Sequence, residues 1–173
     1  EVNNMDFKIR NANDLKRLMN YIEKQAEDSL RLVALEVEKM MKEYVIDNLY
    51  NNYTPQDYAR SYNYLNSLTI RQVYKNNKGE LETEIFFDPN KIYSREVHDR
   101  YWNQHMSLDG STTWNGTPIN ELLPHFIEKG VSGSRWDREG IYVVDNILKK
   151  LGNDKQFKKM MEEELRKKGF KIE

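Results

Sequence analysis

The residues best suited to chemistry are His98, Asp99, Asn103 and His105, within one short stretch. Histidine ligates metals and moves protons near neutral pH, and a carboxylate beside it can steer either role. If Ser94 to His105 is a helix capped by Ser94, the two histidines stand seven residues apart. They then share a face but lie two turns apart, too far to hold one ion on a straight helix. Asp99 falls on a different face, and no third ligand accompanies them. The sequence therefore assigns no metal, no cofactor and no catalytic residue.

A hairpin pattern precedes this stretch, as it does in small metal-dependent nucleases of the ββα type. The spacing does not supply a base, a metal ligand and a phosphate clamp together. Such a nuclease, or a nucleic-acid-binding module, is the alternative to the structural role reached below. Glu36, Glu38 and Glu162 to Glu164 have Lys39, Lys42, Lys159 and Arg166 at helical spacing, the pattern of solvated, paired faces. Lys149, Lys150, Lys155, Lys158, Lys159, Arg166, Lys167 and Lys168 make the C-terminal part locally basic. Interleaved acids point to a solvated helix, so direct DNA contact is possible but not expected. There is no glycine-rich phosphate loop and no Gly-x-Ser-x-Gly elbow.

Composition narrows the classes further. The 173 residues form one domain's worth of chain, and a formal charge of -1 gives no global attraction to DNA or an anionic membrane. There are no cysteines, which removes thiolate catalysis, disulfides and cysteine zinc sites. Charged residues make up 32% and the mean hydropathy is -0.90, so elongated elements with much exposed surface are expected. No apolar run reaches membrane-span length, and Met5 reads as a natural start, with residues 1 to 4 given no weight.

The elements follow from periodicity. Met5 to Arg10 alternates as a short strand. Asn11 or Asn13 caps a helix, and Leu15, Leu18, Met19, Ile22, Ala26, Leu30, Val33, Val37, Met40, Met41, Tyr44, Val45 and Leu49 recur at three and four. A helix from 14 to 50 would be roughly 55 Å long, more than a compact domain of this size needs. Leu32 and Leu35 lie off the main stripe near its middle and widen the apolar face, either as a second packing surface or for burial under the protein's own sheet. Pro55 stops the helix. Ser67 to Tyr74 and Leu81 to Phe87 alternate around the turn Lys75 to Gly79, giving a β-hairpin over about 66–88, with Leu68, Ile70 and Tyr74 on one face. Residues 89–118 form an insertion or loop region that includes the 94–105 helix and carries Trp114. Helices are then predicted at 118–129, 136–151 and 154–168, with Phe170 to Ile172 as an edge strand. The fold class is α+β: a long N-terminal helix packed on a small antiparallel sheet, with further helices after it, in one domain spanning 1–173.

Between helix and hairpin lies a joint rich in tyrosine, Tyr53, Tyr58, Tyr62 and Tyr64, with Arg60 among them. Aromatics beside a guanidinium suit a protein contact, since arginine stacks on rings and forks onto carboxylates; the alternative is that the tyrosines cover the end of the long helix. The subunit-contact candidates are therefore Tyr53, Tyr58, Arg60, Tyr62, Leu32, Leu35 and Trp114.

In this order of elements, with Pro55, Ser61, Leu65 and Ser67 before the hairpin and Glu128-x-Gly130 after it, the chain resembles the head-tail joining, or tail-completion, proteins of tailed bacteriophages. It departs from them in the bulky Tyr62-Asn63-Tyr64, where they carry Thr-Gly, and in the insertion at 89–118. The resemblance implies a structural virion protein without enzymatic activity, assembled in the host bacterial cytoplasm. Its implied place is a homo-oligomeric ring at the virion neck, between portal or connector proteins and the tail.

Overall fold

The computed structural model describes residues 9–52, 62–92, 113–114, 117–131, 138–152 and 155–172. The fold is α+β: a long N-terminal helix, small two-stranded antiparallel sheets, and further helices. The strand expected over 5–10 and the helix expected over 94–105 lie outside the described residues. At the former's end, Ile9 and Arg10 have no regular structure.

Helix α1 runs Ala12–Val45. Asn11 caps it: its Oδ1 accepts from the Asn13 and Asp14 N–H groups at 2.8 and 3.0 Å. The Asp14 carboxylate reaches back to the Arg10 N–H at 3.1 Å, where a negative charge also suits the helix dipole. The last turn, Ile46–Tyr50, widens into a π turn closed by Asn51 N–H on the Ile46 carbonyl at 2.8 Å. The helix thus ends where its sequence pattern ends.

Compact packing falls in two units, Glu1–Val37, Ile70–Glu84 and Leu148–Glu173 in one, and Glu38–Thr69 with Ile85–Ile147 in the other. The first unit packs around Leu30, Val33, Ala34 and Val37 of α1 with Val73 and Leu151. Ser29 is fully buried there, its hydroxyl donating to the Gln25 carbonyl at 2.8 Å. Helix α5, Lys155–Lys167, is tied to α1 by Lys168, which donates to the Gln25 carbonyl at 3.2 Å and pairs with Asp28 at 3.7 Å. Gly169 (φ 90°) and Phe170 then close α5 as a Schellman cap, donating to the carbonyls of Arg166 and Leu165. That cap corrects the edge strand expected at 170–172: the chain there is irregular, with the Phe170 N–H turned back onto the helix and the Ile172 carbonyl accepting from Arg166 at 3.4 Å.

The hairpin is one excursion built from two ladders. Strands β1 (Leu68–Ile70) and β4 (Ile85–Phe87) pair, and β2 (Tyr74–Lys75) pairs with β3 (Leu81–Glu82), Tyr74 opposite Glu82. Between them the backbone is held by Arg71 N–H on the Glu84 carbonyl at 2.8 Å and by the Thr83 hydroxyl on the Arg71 carbonyl. This break shifts the phase: Leu68 and Val73 are buried while Tyr74 is exposed, so the strict alternation expected through Tyr74 fails. The turn is as expected, with Gly79 at φ 80° and its N–H on the Asn76 carbonyl.

In the second unit, Met40, Met41, Val45, Tyr64, Leu68, Ile92, Ile127, Val143 and Ile147 are buried. Short helix α2 (Asn63–Ser67) brings Tyr64 onto Phe87, rings stacked at 4.3 Å. Asp88 caps the 3-10 turn Pro89–Lys91, accepting from Asn90 N–H at 3.0 Å. Residues 113–114 and 117–118, read from sequence as loop, form the ladder β5–β6 (Thr113–Trp114 with Thr117–Pro118). Helix α3 then spans Ile119–Lys129, with Pro124 inside it.

Beyond α3 the sequence expectation needs its largest correction. Helix α4 is Val143–Lys150, not 136–151. Gly130–Val131 (β7) instead pairs with Arg138–Glu139 (β8). The chain re-enters the helix through Tyr142 in a left-handed conformation, φ 48°.

Candidate subunit-contact surface

Leu32 and Leu35 are three residues apart on α1 and so sit side by side on its surface. Their neighbours Val33 and Ala34 are 2% and 3% exposed, whereas Leu32 and Leu35 are 40% and 43% exposed. Ile46, eleven residues or about three turns beyond Leu35 and so on the same side, is 37% exposed. The helix buries one apolar side in the protein's own core and leaves Leu32, Leu35 and Ile46 bare on the other, with Lys39 and Lys42 between Leu35 and Ile46 on that side. A face carrying bare leucine and isoleucine is what a protein contact uses.

At the joint, Tyr62 is exposed and held at φ 54°, an uncommon conformation for a bulky side chain. Its ring lies against Tyr50 of the π turn, centroids 4.7 Å apart. Tyr50 escaped the sequence reasoning; its place in the last turn of the helix, facing the joint tyrosines, was the available signal. Tyr53, Tyr58 and Arg60 lie outside the described residues. Trp114 lies in β5, away in sequence from the other candidates. Of the seven candidates, the structure sets Leu32 and Leu35 next to one another, and gives Tyr62 an aromatic partner.

Three further exposed residues were assigned from sequence to the buried stripe: Leu15, Met19 and Ile22. The stripe is continuous in sequence, but its burial begins only near Ser29. Of the apolar positions Ile141, Val144, Ile147, Leu148 and Leu151 read from the 136–151 pattern, Ile147 and Leu151 are buried, together with Val143, while Val144 and Leu148 are exposed.

The carboxylates behave as paired surface. Glu38 meets Lys42 at 2.8 Å, and Glu162 and Glu163 meet Lys158, Arg166 and Lys159 at 3.8 to 3.9 Å. Among the described residues, no group of three or more His, Cys, Asp or Glu side chains is placed to hold a metal ion. His98, Asp99 and His105 lie outside them. No helix among the described residues is long and apolar enough to cross a membrane.

The residues shared with the phage resemblance, Glu128 and Gly130, have a clear physical task. Glu128 Oε2 and Oε1 accept from Val143 and Val144 N–H at 2.8 Å each, capping α4 from the end of α3. The Ile127 and Glu128 carbonyls accept from Ile141 and Tyr142 N–H at 3.0 Å. Gly130 (φ 86°) turns the chain out of α3, and Gly140 presses so close that an added Cβ would sit 2.3 Å from the Glu128 carbonyl oxygen. Lys129 lies over the Tyr142 ring at 5.3 Å and pairs with Asp145 at 3.3 Å. Ser67, another shared residue, is buried, its hydroxyl on the Tyr64 carbonyl at 2.6 Å.

Fold and surface together define an α+β protein whose main helix carries apolar side chains beyond those its own core uses. The chain belongs to the YomN family, whose model matches residues 14–167. That family is derived from Bacillus phage, which makes this a phage-related protein. Neither a curated protein nor a solved structure matches the chain.

Proposed function

We propose that the chain is a structural subunit of a phage particle, a head-tail joining or tail-completion protein that assembles with copies of itself into a ring at the virion neck. One observation carries the reading: Leu32 and Leu35 are bare on the side of α1 turned from its buried stripe. Membership of a phage-derived family supports it, as does the Glu128 and Gly130 clasp, which gives a structural reason for two residues of the head-tail resemblance. In this reading, the bare face of α1, with Tyr62 and the joint, meets the neighbouring subunit. The ring then meets portal or connector proteins on one side and tail proteins on the other. No reaction is assigned to it, and its place is the virion, after assembly in the bacterial cytoplasm.

Light scattering on the purified chain, alone and mixed with the phage's connector and tail proteins, tests the reading. A ring-sized mass, or a stoichiometric complex with either partner, supports it. A chain that stays monomeric and joins neither contradicts it.

A further inference from the structure

We propose that the first turns of α1 make a second, two-fold contact, in which they lie antiparallel against the same turns of another copy of this chain. Leu15, Met19 and Ile22 follow at intervals of four and three, and that spacing continues through Ala26 and Ser29 to Val33. This is the seam of a coiled coil. Its later part, from Ser29, is covered by the protein's own core, while Leu15, Met19 and Ile22 are 46%, 61% and 43% exposed.

The residues flanking the seam select the occupant. Beside it on one flank lie Lys16 and Glu23, and on the other Leu18 and Gln25. In an antiparallel pair each flank meets the same flank of its partner. With Met19 near the two-fold axis, Lys16 faces Glu23 of the other copy, the pair occurs twice by symmetry, and Leu18 meets Leu18 or Gln25. In a parallel pair the flanks are exchanged: Glu23 faces Leu18 and Lys16 faces Asn11, with no opposite charges brought together. The sequence is therefore self-complementary in one direction only. Glu23 already pairs with Lys75 at 2.7 Å, which holds its carboxylate beside the seam; a carboxylate can accept from a second cation as well.

The contact is small. Three apolar side chains from each copy bury less than the roughly 1,200 Å² of a stable interface, so it forms weakly between free chains and strengthens where copies are already held close. It does not depend on the ring reading, because it uses neither Leu32 nor Leu35.

The absence of native cysteine makes disulfide trapping a direct test. The measurement is the rate of cross-linked dimer formation for Met19→Cys, for Leu15→Cys mixed with Ile22→Cys, and for a control, Lys24→Cys, on the other side of the helix. Met19→Cys dimers and mixed 15/22 dimers are expected to form faster than control dimers, with 15/22 favoured over 15/15 and 22/22. Adding Lys16→Glu should remove the advantage, and adding Glu23→Lys to that variant should restore it. Cross-linking no faster than the control overturns the proposal. Preference for 15/15 and 22/22, or indifference to Lys16→Glu in a chain of unchanged helicity, does so too.

Discussion

The Glu128 carboxylate, near the end of α3, accepts hydrogen bonds from Val143 and Val144, the first residues of α4. One side chain thereby satisfies two of the backbone donors that a helix start leaves open. It also fixes how the chain returns after the β7–β8 ladder. Glu128→Ala should destabilise the protein by about 1–3 kcal/mol, since it removes the acceptor of one part-buried and one exposed backbone donor. Glu128→Gln, which keeps an acceptor, should lose less. Urea denaturation followed by circular dichroism decides between them; equal stability of all three proteins would show that the cap contributes nothing.

Gly140 and Gly79 separate two reasons for glycine. A Cβ at Gly140 would lie 2.3 Å from the Glu128 oxygen and 2.5 Å from the Lys129 carbonyl carbon, both backbone atoms that cannot swing aside. At Gly79 a Cβ would meet nothing within 4 Å, and only the left-handed conformation opposes it. Gly79→Ala should therefore cost about 1–2 kcal/mol. Gly140→Ala should cost more, because the α3–α4 clasp must open. Comparable denaturation midpoints for the two variants would contradict this.

Tyr74 carries a pH prediction. Its one hydroxyl proton is shared between Glu82 at 3.1 Å and Glu84 at 3.3 Å, and the Glu82 hydrogen bond, ahead of burial and the two negative charges, raises its pKa above the usual 10.0. A group whose pKa is raised by folding contributes its stability in full below the unfolded value and loses it as pH climbs through the folded one. The hairpin should thus lose this contribution above pH 10 and be insensitive to Tyr74 ionisation at neutral pH. Stability curves of the wild type and Tyr74→Phe should converge in alkali; parallel curves through that range would refute the assignment.

His98, Asn103 and His105 lie outside the described residues, so the nuclease alternative is best met by assay. Plasmid DNA incubated with the protein and magnesium or zinc should remain supercoiled. Nicking by the wild type that disappears in His98→Ala would replace the structural reading with an enzymatic one.

The sequence carried the long helix well because Asn11, an unbroken apolar period and Pro55 are local signals that agree. It carried the Gly79 turn for the same reason. What it hid depends on tertiary closure. The periodicity of Ile141, Val144 and Leu148 suits a helix, yet Tyr142 turns left-handed and Glu128, distant in sequence, sets the helix start. The exposure of Leu15, Met19 and Ile22 was equally hidden, since a stripe does not show where its cover ends. Leu32 and Leu35 were legible as surface candidates because they fall off the part of the stripe, from Leu30 to Val45, that the core covers. Of the tyrosine joint, Tyr62 packs on Tyr50 at the helix end and Tyr64 stacks on Phe87, while Tyr53, Tyr58 and Arg60 lie outside the described residues.

The central claim is that the bare side of α1 joins subunits. Its most direct measurement is the mass, by light scattering across concentration and with connector and tail proteins present, of the wild type and of Leu32→Glu/Leu35→Glu. The account predicts a ring or partner complex for the wild type, and a monomer of unchanged helicity for the variant. A wild type that never assembles, or a variant that assembles as well as the wild type, would contradict it.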